Sequence, residues 1–123
     1  RVSCWIAMYS RGKASGWGGA MGPAQFIPST WNIFDQRIEK VLGISLANPW
    51  DPEHAILASA LYLSDLGAGL QTFSAEKNAA CRYYSGKSCS AGTGATYGSQ
   101  VMTKTANIQE CMIDPILGKS SGC

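Results

Sequence analysis

The segment from Gly16 to Trp31 constrains the fold of this chain more than any other. Its glycines, at positions 16, 18, 19 and 22, and its prolines, at 23 and 28, disfavour a regular helix or strand through most of its length. Large apolar side chains are interleaved with them, which is unusual for a plain connecting loop. The segment therefore predicts a sharply folded main chain that comes close to a ligand.

Within this segment, Gln25 is the side chain best placed to bind that ligand. Pro23 suits the first position of a helical turn, and such a turn would hold Gln25 in one direction. The amide of Gln25 offers both a donor and an acceptor, and the neighbouring glycines leave backbone N–H and C=O groups uncovered. The competing interpretation is that Gln25 only ties down its own loop.

The rest of the chain predicts an all-α fold, because apolar residues recur at helical spacing and no segment alternates as a strand does. We expect helices over residues 30–42, 52–66, 74–84 and 96–112. Their predicted caps and stops are Ser29 or Thr30, Gly43, Asp51, Gly67, Ser74, Gly86 and the Asp114-Pro115 pair. The apolar run from Ala55 to Leu63 predicts that the second helix is central to the fold.

Composition narrows the classes of partner. A chain of 123 residues allows one small domain, and a net charge of +2 without any basic run argues against nucleic acid. The longest apolar run is too short for a transmembrane segment. With a single histidine, His54, and no pair of cysteines at metal-binding spacing, we expect neither a metal nor a cofactor.

The five cysteines favour an oxidising compartment, which means a secreted, periplasmic or cell-envelope protein. Among many possible arrangements, we favour Cys81 with Cys89, which would join a helix end to the loop after it. We pair Cys111 with Cys123, which would pin the tail. Cys4 is then left over, which suggests a partner in a missing N-terminal segment or in another chain.

Residues 18–31, Gly-Gly-Ala-Met-Gly-Pro-Ala-Gln-Phe-Ile-Pro-Ser-Thr-Trp, resemble the signature of peptidoglycan lytic transglycosylases of the membrane-bound lytic transglycosylase B type. Asn-Pro-Trp-Asp-Pro at 48–52, Ala-Cys-Arg-Tyr-Tyr at 80–84 and Tyr-Gly at 97–98 follow in the order of that family. The resemblance implies the C-terminal part of a lysozyme-like domain, stabilised here by disulfides, over residues 16–112. Residues 1–15 would be the remnant of an upstream region, and residues 113–123 a C-terminal tail.

The resemblance also implies a substrate and a reaction. The partner would be the glycan strands of bacterial peptidoglycan, cleaved without water between N-acetylmuramic acid and N-acetylglucosamine to leave a 1,6-anhydro sugar. Met21 and Gln25 would contact the sugar and its N-acetyl group, and Tyr62 and Tyr83 would line the cleft. Tyr84, in the same helical turn as Tyr83, is a further candidate, although some relatives carry Asn there.

The sequence does not supply the expected general acid. Glycoside cleavage needs a carboxylic acid in apolar surroundings, whereas the carboxylates here lie at helix starts, on solvated faces, or near polar or terminal segments. In the family this acid is a glutamate upstream of the glycine-rich motif, so we expect it before residue 1, because residues 1–15 contain none. The alternatives are a non-catalytic glycan-binding or structural module, and a disulfide-stabilised scaffold without a sugar partner.

Overall fold

The computed structural model describes residues 19–89 and 92–123, except the side chain of Thr93. This part of the chain is mainly helical and contains no strand, which confirms the all-α prediction. The predicted remnant at residues 1–15 and Cys4 lie outside the described residues. The elements, in chain order, are α1 (Pro28–Leu42), α2 (Pro52–Asp65), a 3₁₀ turn (Ala68–Leu70), α3 (Phe73–Ser85), α4 (Thr93–Ile108), a π-helical turn (Gln109–Ile113) and α5 (Asp114–Ile116).

Two predicted N-caps differ from those in the structure. Helix α1 begins at Pro28, preceded by the extended Ile27 (φ −74°, ψ 155°), so neither Ser29 nor Thr30 is its cap. The reason is that proline needs no hydrogen-bond partner for its nitrogen in the first helical turn. In α3, the cap is Thr72 and not Ser74, since the Thr72 hydroxyl accepts the N–H of Ala75 at 3.2 Å.

The predicted cap at Asp51 and the predicted stops at Gly43 and Gly86 are confirmed. Asp51 precedes α2, and its carboxylate accepts the N–H groups of Glu53 at 2.9 Å and of His54 at 3.4 Å. Gly43 and Gly86 end α1 and α3 in the left-handed conformation, with φ of 66° and 72°. These positions are the ones where glycine avoids the steric cost that a Cβ would add.

The predicted break at Asp114-Pro115 is wrong. Helix α4 starts at Thr93, earlier than expected, and its path continues through the π-helical turn into α5. The N–H of Asp114 reaches the Gln109 carbonyl, a longer step than in an α-helix. Pro115 then lies in the first turn of α5, where a missing N–H costs nothing.

The chain divides into two compact units, Arg1–Tyr62 (unit 1) and Leu63–Cys123 (unit 2). This division does not test the predicted boundaries at residues 16 and 113. In the described part of unit 1, the Phe26 ring lies 5.9 Å from each of the Trp31, Phe34 and Tyr62 rings, measured between centroids. Phe26 is thus the centre of an aromatic cluster.

Helix α2 is not the central helix that its composition predicted. Of its residues, Ala55 and Ala58 are buried, whereas Ile56 is 68% exposed. An apolar run predicts burial only where other elements cover every face of the helix. The buried residues of α2 are these two alanines alone among its described positions, so this prediction is corrected.

In unit 2, helices α3 and α4 pack closely through small residues. Ala79, Ala80 and Cys81 are buried on α3, and Gly94 and Gly98 are buried on α4. Disulfides join Cys81 to Cys89 and Cys111 to Cys123, with Cα atoms 5.3 and 5.5 Å apart, as we predicted. No helix in the described ranges is long and apolar enough to cross a bilayer.

Candidate functional site

The glycine-rich segment folds into a tight turn in unit 1. Met21 and Phe26 form an isolated antiparallel bridge, in which the Met21 N–H donates to the Phe26 carbonyl at 2.9 Å. The four residues between them, 22–25, close the turn, which we call the Gly22 turn. Pro23 therefore lies in this turn and does not begin a helix, which corrects the prediction; the next helix begins only at Pro28.

Gln25 is held in one direction by its own turn. It adopts the left-handed conformation (φ 58°), uncommon for a residue with a side chain. Its backbone N–H and its side-chain Nε2 both donate to the Gly22 carbonyl, at 3.2 and 2.7 Å. The residue is nevertheless exposed. Gln25 thus ties down its loop, and its amide also remains available at the surface.

Gly22 allows the turn to contact a second main-chain segment. A Cβ built at this position would overlap the Pro49 carbonyl oxygen and lie 3.2 Å from the Trp50 Cα, and its φ is 63°. Glycine is therefore required here for both conformation and space. The contact places the Trp50 backbone directly against the Gly22 turn.

Residues 48–50, which contact the Gly22 turn, are themselves held by hydrogen bonds. The Asn48 N–H donates to His54 Nδ1 at 2.9 Å, and the Trp50 N–H donates to Asn48 Oδ1 at 2.9 Å. Trp50 remains 39% exposed. We did not select Trp50 as a site residue from the sequence, although it lies in the Asn-Pro-Trp-Asp-Pro motif. His54 has a structural role as an acceptor.

Two predicted site residues of unit 1 contribute mainly to packing. Met21 is only 4% exposed, because its bridge with Phe26 turns both side chains to the buried side of the turn. The contact of Met21 with a sugar, implied by the resemblance, stays a prediction. Tyr62 is half-buried, and its ring lies 5.4 Å from the Phe34 ring, so it belongs to the aromatic cluster.

Unit 2 carries a separate surface, an aromatic groove between α3 and α4. The rings of Tyr84 and Tyr97 stack with centroids 4.6 Å apart and planes 16° from parallel, and Tyr84 is 57% exposed. They border a groove of about 700 Å³ that Thr96 and Gln100 also line. We call it the Tyr84–Tyr97 groove.

The Tyr84–Tyr97 groove contains one predicted site residue and one that the prediction missed. Tyr84 is among the predicted site residues, whereas Tyr97 is not. Tyr83, in the same helical turn, is half-buried and does not line this groove. Between residues 19–89 and 92–123, no three His, Cys, Asp or Glu side chains are placed to hold a metal ion together.

Four described carboxylates accept hydrogen bonds that stabilise local structure. Asp51 caps α2, and the Glu39 carboxylate accepts the Ala47 N–H at 3.0 Å. Asp114 accepts from Gln109 Nε2 at 2.7 Å. Asp35 is buried on α1, where it accepts the Gln36 N–H at 2.7 Å. None of these contacts places a carboxyl group in the Gly22 turn or the Tyr84–Tyr97 groove.

Comparison with known proteins does not assign this chain to a family. No protein-family model, no curated protein and no solved structure matches the chain.

Proposed function

We propose that this chain is the glycan-positioning part of a peptidoglycan lytic transglycosylase. Its surfaces would hold the glycan strand while a glutamate outside residues 1–123 protonates the glycosidic oxygen. As a carboxylate, that glutamate would then help the C6 hydroxyl attack C1, which closes the 1,6-anhydro ring without water. The two disulfides support an oxidising location, either secreted, periplasmic or in the cell envelope.

The observation that carries this proposal is the chemistry of the Tyr84–Tyr97 groove. Its described lining combines two aromatic rings with a hydroxyl and an amide and includes no charged side chain. Aromatic faces suit the C–H faces of pyranose rings, and neutral polar groups satisfy sugar hydroxyls. A lining of this kind favours a neutral, polyhydroxylated ligand over an anion or a purely apolar one.

The Gly22 turn gives independent support. Its resemblance to the family signature covers the residues that form the turn, and Gln25 stays exposed with its amide oriented by Gly22. A non-glycine residue held at positive φ costs free energy, and such residues cluster at binding sites. An oriented amide beside bare main chain suits the N-acetyl group of an amino sugar.

A non-catalytic glycan-binding module remains the second candidate, favoured by the structural roles of Glu39, Asp51 and Asp114. Product analysis separates the two. We expect residues 1–123 to bind purified glycan strands without cleaving them, and a chain extended upstream through the expected glutamate to release 1,6-anhydromuropeptides. Release of reducing-end sugars would contradict the transglycosylase. Absence of glycan binding by either chain would overturn both candidates.

Replacing Gln25 with glycine separates its two roles. Gln25→Gly removes the amide but relieves the positive φ, so we expect the free energy of unfolding to change by no more than about 1 kcal/mol. Affinity for glycan strands should fall about tenfold, measured by isothermal titration calorimetry. Unchanged affinity would leave Gln25 with only its role in the turn.

Tyr84→Ala tests the aromatic groove of unit 2. We expect glycan affinity to fall about tenfold, because the variant loses an exposed stacking face and its contact with Tyr97. With peptide-free glycan strands as the ligand, Phe73→Ala is the matched control, since Phe73 is an exposed ring of the same unit outside this groove. Equal losses in both variants would contradict a specific role for the Tyr84–Tyr97 groove.

A further inference from the structure

A second groove of unit 2 differs in chemistry from the first. It encloses about 790 Å³, and Leu66, Leu70 and Phe73 form its apolar walls. Leu70 and Phe73 are 76% and 67% exposed. Thr72 and Asn78 add hydrogen-bonding groups to its lining. We call it the Phe73 groove.

The Phe73 groove has a single ionisable side chain among its described lining residues, the half-buried Lys77. Its ammonium group forms no ion pair with any residue in the described ranges. A single lysine among mainly apolar lining residues is complementary to a ligand that carries a carboxylate next to small apolar groups. The described lining of the Tyr84–Tyr97 groove includes no charged side chain, so we expect the two surfaces to favour different ligands.

We propose that the Phe73 groove binds a short anionic peptide with small apolar side chains. The Asn78 amide and the Thr72 hydroxyl can form hydrogen bonds with peptide N–H and C=O groups. The apolar walls suit methyl side chains, and Lys77 suits a carboxylate. An anionic lipid surface is the less favoured partner, because membrane-binding faces carry clusters of lysine or arginine, whereas the described lining of this groove includes a single lysine.

Peptidoglycan carries short peptides of this chemistry on its glycan strands. The identification of peptidoglycan as the source of the peptide rests on the proposed function. The binding itself does not require glycan. Free peptide and peptide-free glycan strands can therefore be tested separately, so that failure at one surface is distinguishable from failure at the other.

The test is a titration of the ¹⁵N-labelled chain with acetyl-Ala-Glu-Ala bearing a free C-terminal carboxylate. We expect amide resonances of residues 66–78 to shift, and no comparable shift with the neutral peptide acetyl-Ala-Gln-Ala-amide. Lys77→Gln should weaken the affinity at least fivefold, and Phe73→Ser should weaken it as well. Lys87→Gln, at an exposed lysine of the same unit that does not line the groove, should leave it unchanged.

Three results would overturn the inference. They are equal binding of the charged and neutral peptides, equal loss in Lys77→Gln and Lys87→Gln, and binding to phosphatidylglycerol vesicles without any binding of the peptide. Glycan binding that persists while the peptide fails to bind would reject this inference alone. Peptide binding without glycan binding would support the groove and count against the proposed function.

Discussion

Gly22→Ala is expected to destabilise unit 1 by about 2 to 5 kcal/mol. Alanine in the left-handed conformation costs about 1 to 2 kcal/mol, and overlap of a new Cβ with the rigid Pro49 carbonyl adds about 1 to 3 kcal/mol. The overlap involves backbone on both sides, so no side-chain rotation relieves it. Guanidinium unfolding followed by tryptophan fluorescence measures the loss, because Trp31 and Trp50 lie in the described part of unit 1 and the sequence of unit 2 contains no tryptophan.

Gly43→Ala provides a matched control for this prediction. Its φ is 66°, close to the 63° of Gly22, but nothing lies within 4 Å of the Cβ that alanine would add. We therefore expect Gly43→Ala to cost only the conformational term of about 1 to 2 kcal/mol. If the two variants lose the same stability, the close contact between Gly22 and Pro49 does not contribute as the structure indicates.

Gly22 also shows which part of the fold could not be predicted from the sequence. The glycines and prolines near it predict a tight turn from local chemistry alone, and the turn is present. The contact with Pro49 joins residues far apart in the chain, so local propensity carries no signal for it. Pro23 shows the related error, because proline suits the first position of both a helix and a turn. The hydrogen bond from Gln25 to Gly22 closes the turn instead.

Helix ends were predictable where one residue type has one strong role. Asp51, Gly43 and Gly86 cap or stop helices as predicted, because an N-cap carboxylate and a left-handed glycine act locally. The exposure of Ile56 and the pairing of Tyr84 with Tyr97 were not predictable in this way. Both depend on which elements pack together, and helical periodicity identifies an apolar face without identifying its partner.

Gly98→Ala is expected to destabilise unit 2 by about 2 kcal/mol, against the helix-propensity scale. Alanine in a helix interior should add about 1 kcal/mol of stability over glycine. A Cβ at Gly98, however, would overlap the Cys81 Sγ and lie 3.1 Å from the Lys77 carbonyl oxygen. The disulfide to Cys89 restrains that sulfur from moving. Overpacking of about 3 kcal/mol therefore outweighs the propensity gain.

A double-mutant cycle isolates the clash from the propensity. In the Cys81→Ala/Cys89→Ala background the obstructing sulfur is absent, so Gly98→Ala should be neutral or stabilising by up to about 1 kcal/mol. Thermal unfolding followed by circular dichroism gives the four stabilities, and hydrogen exchange of residues 93–108 localises the effect to α4. If Gly98→Ala destabilises both backgrounds equally, the close packing of α3 on α4 does not depend on the Cys81 sulfur. A loss confined to the disulfide-bonded chain would identify that sulfur as the reason position 98 requires glycine.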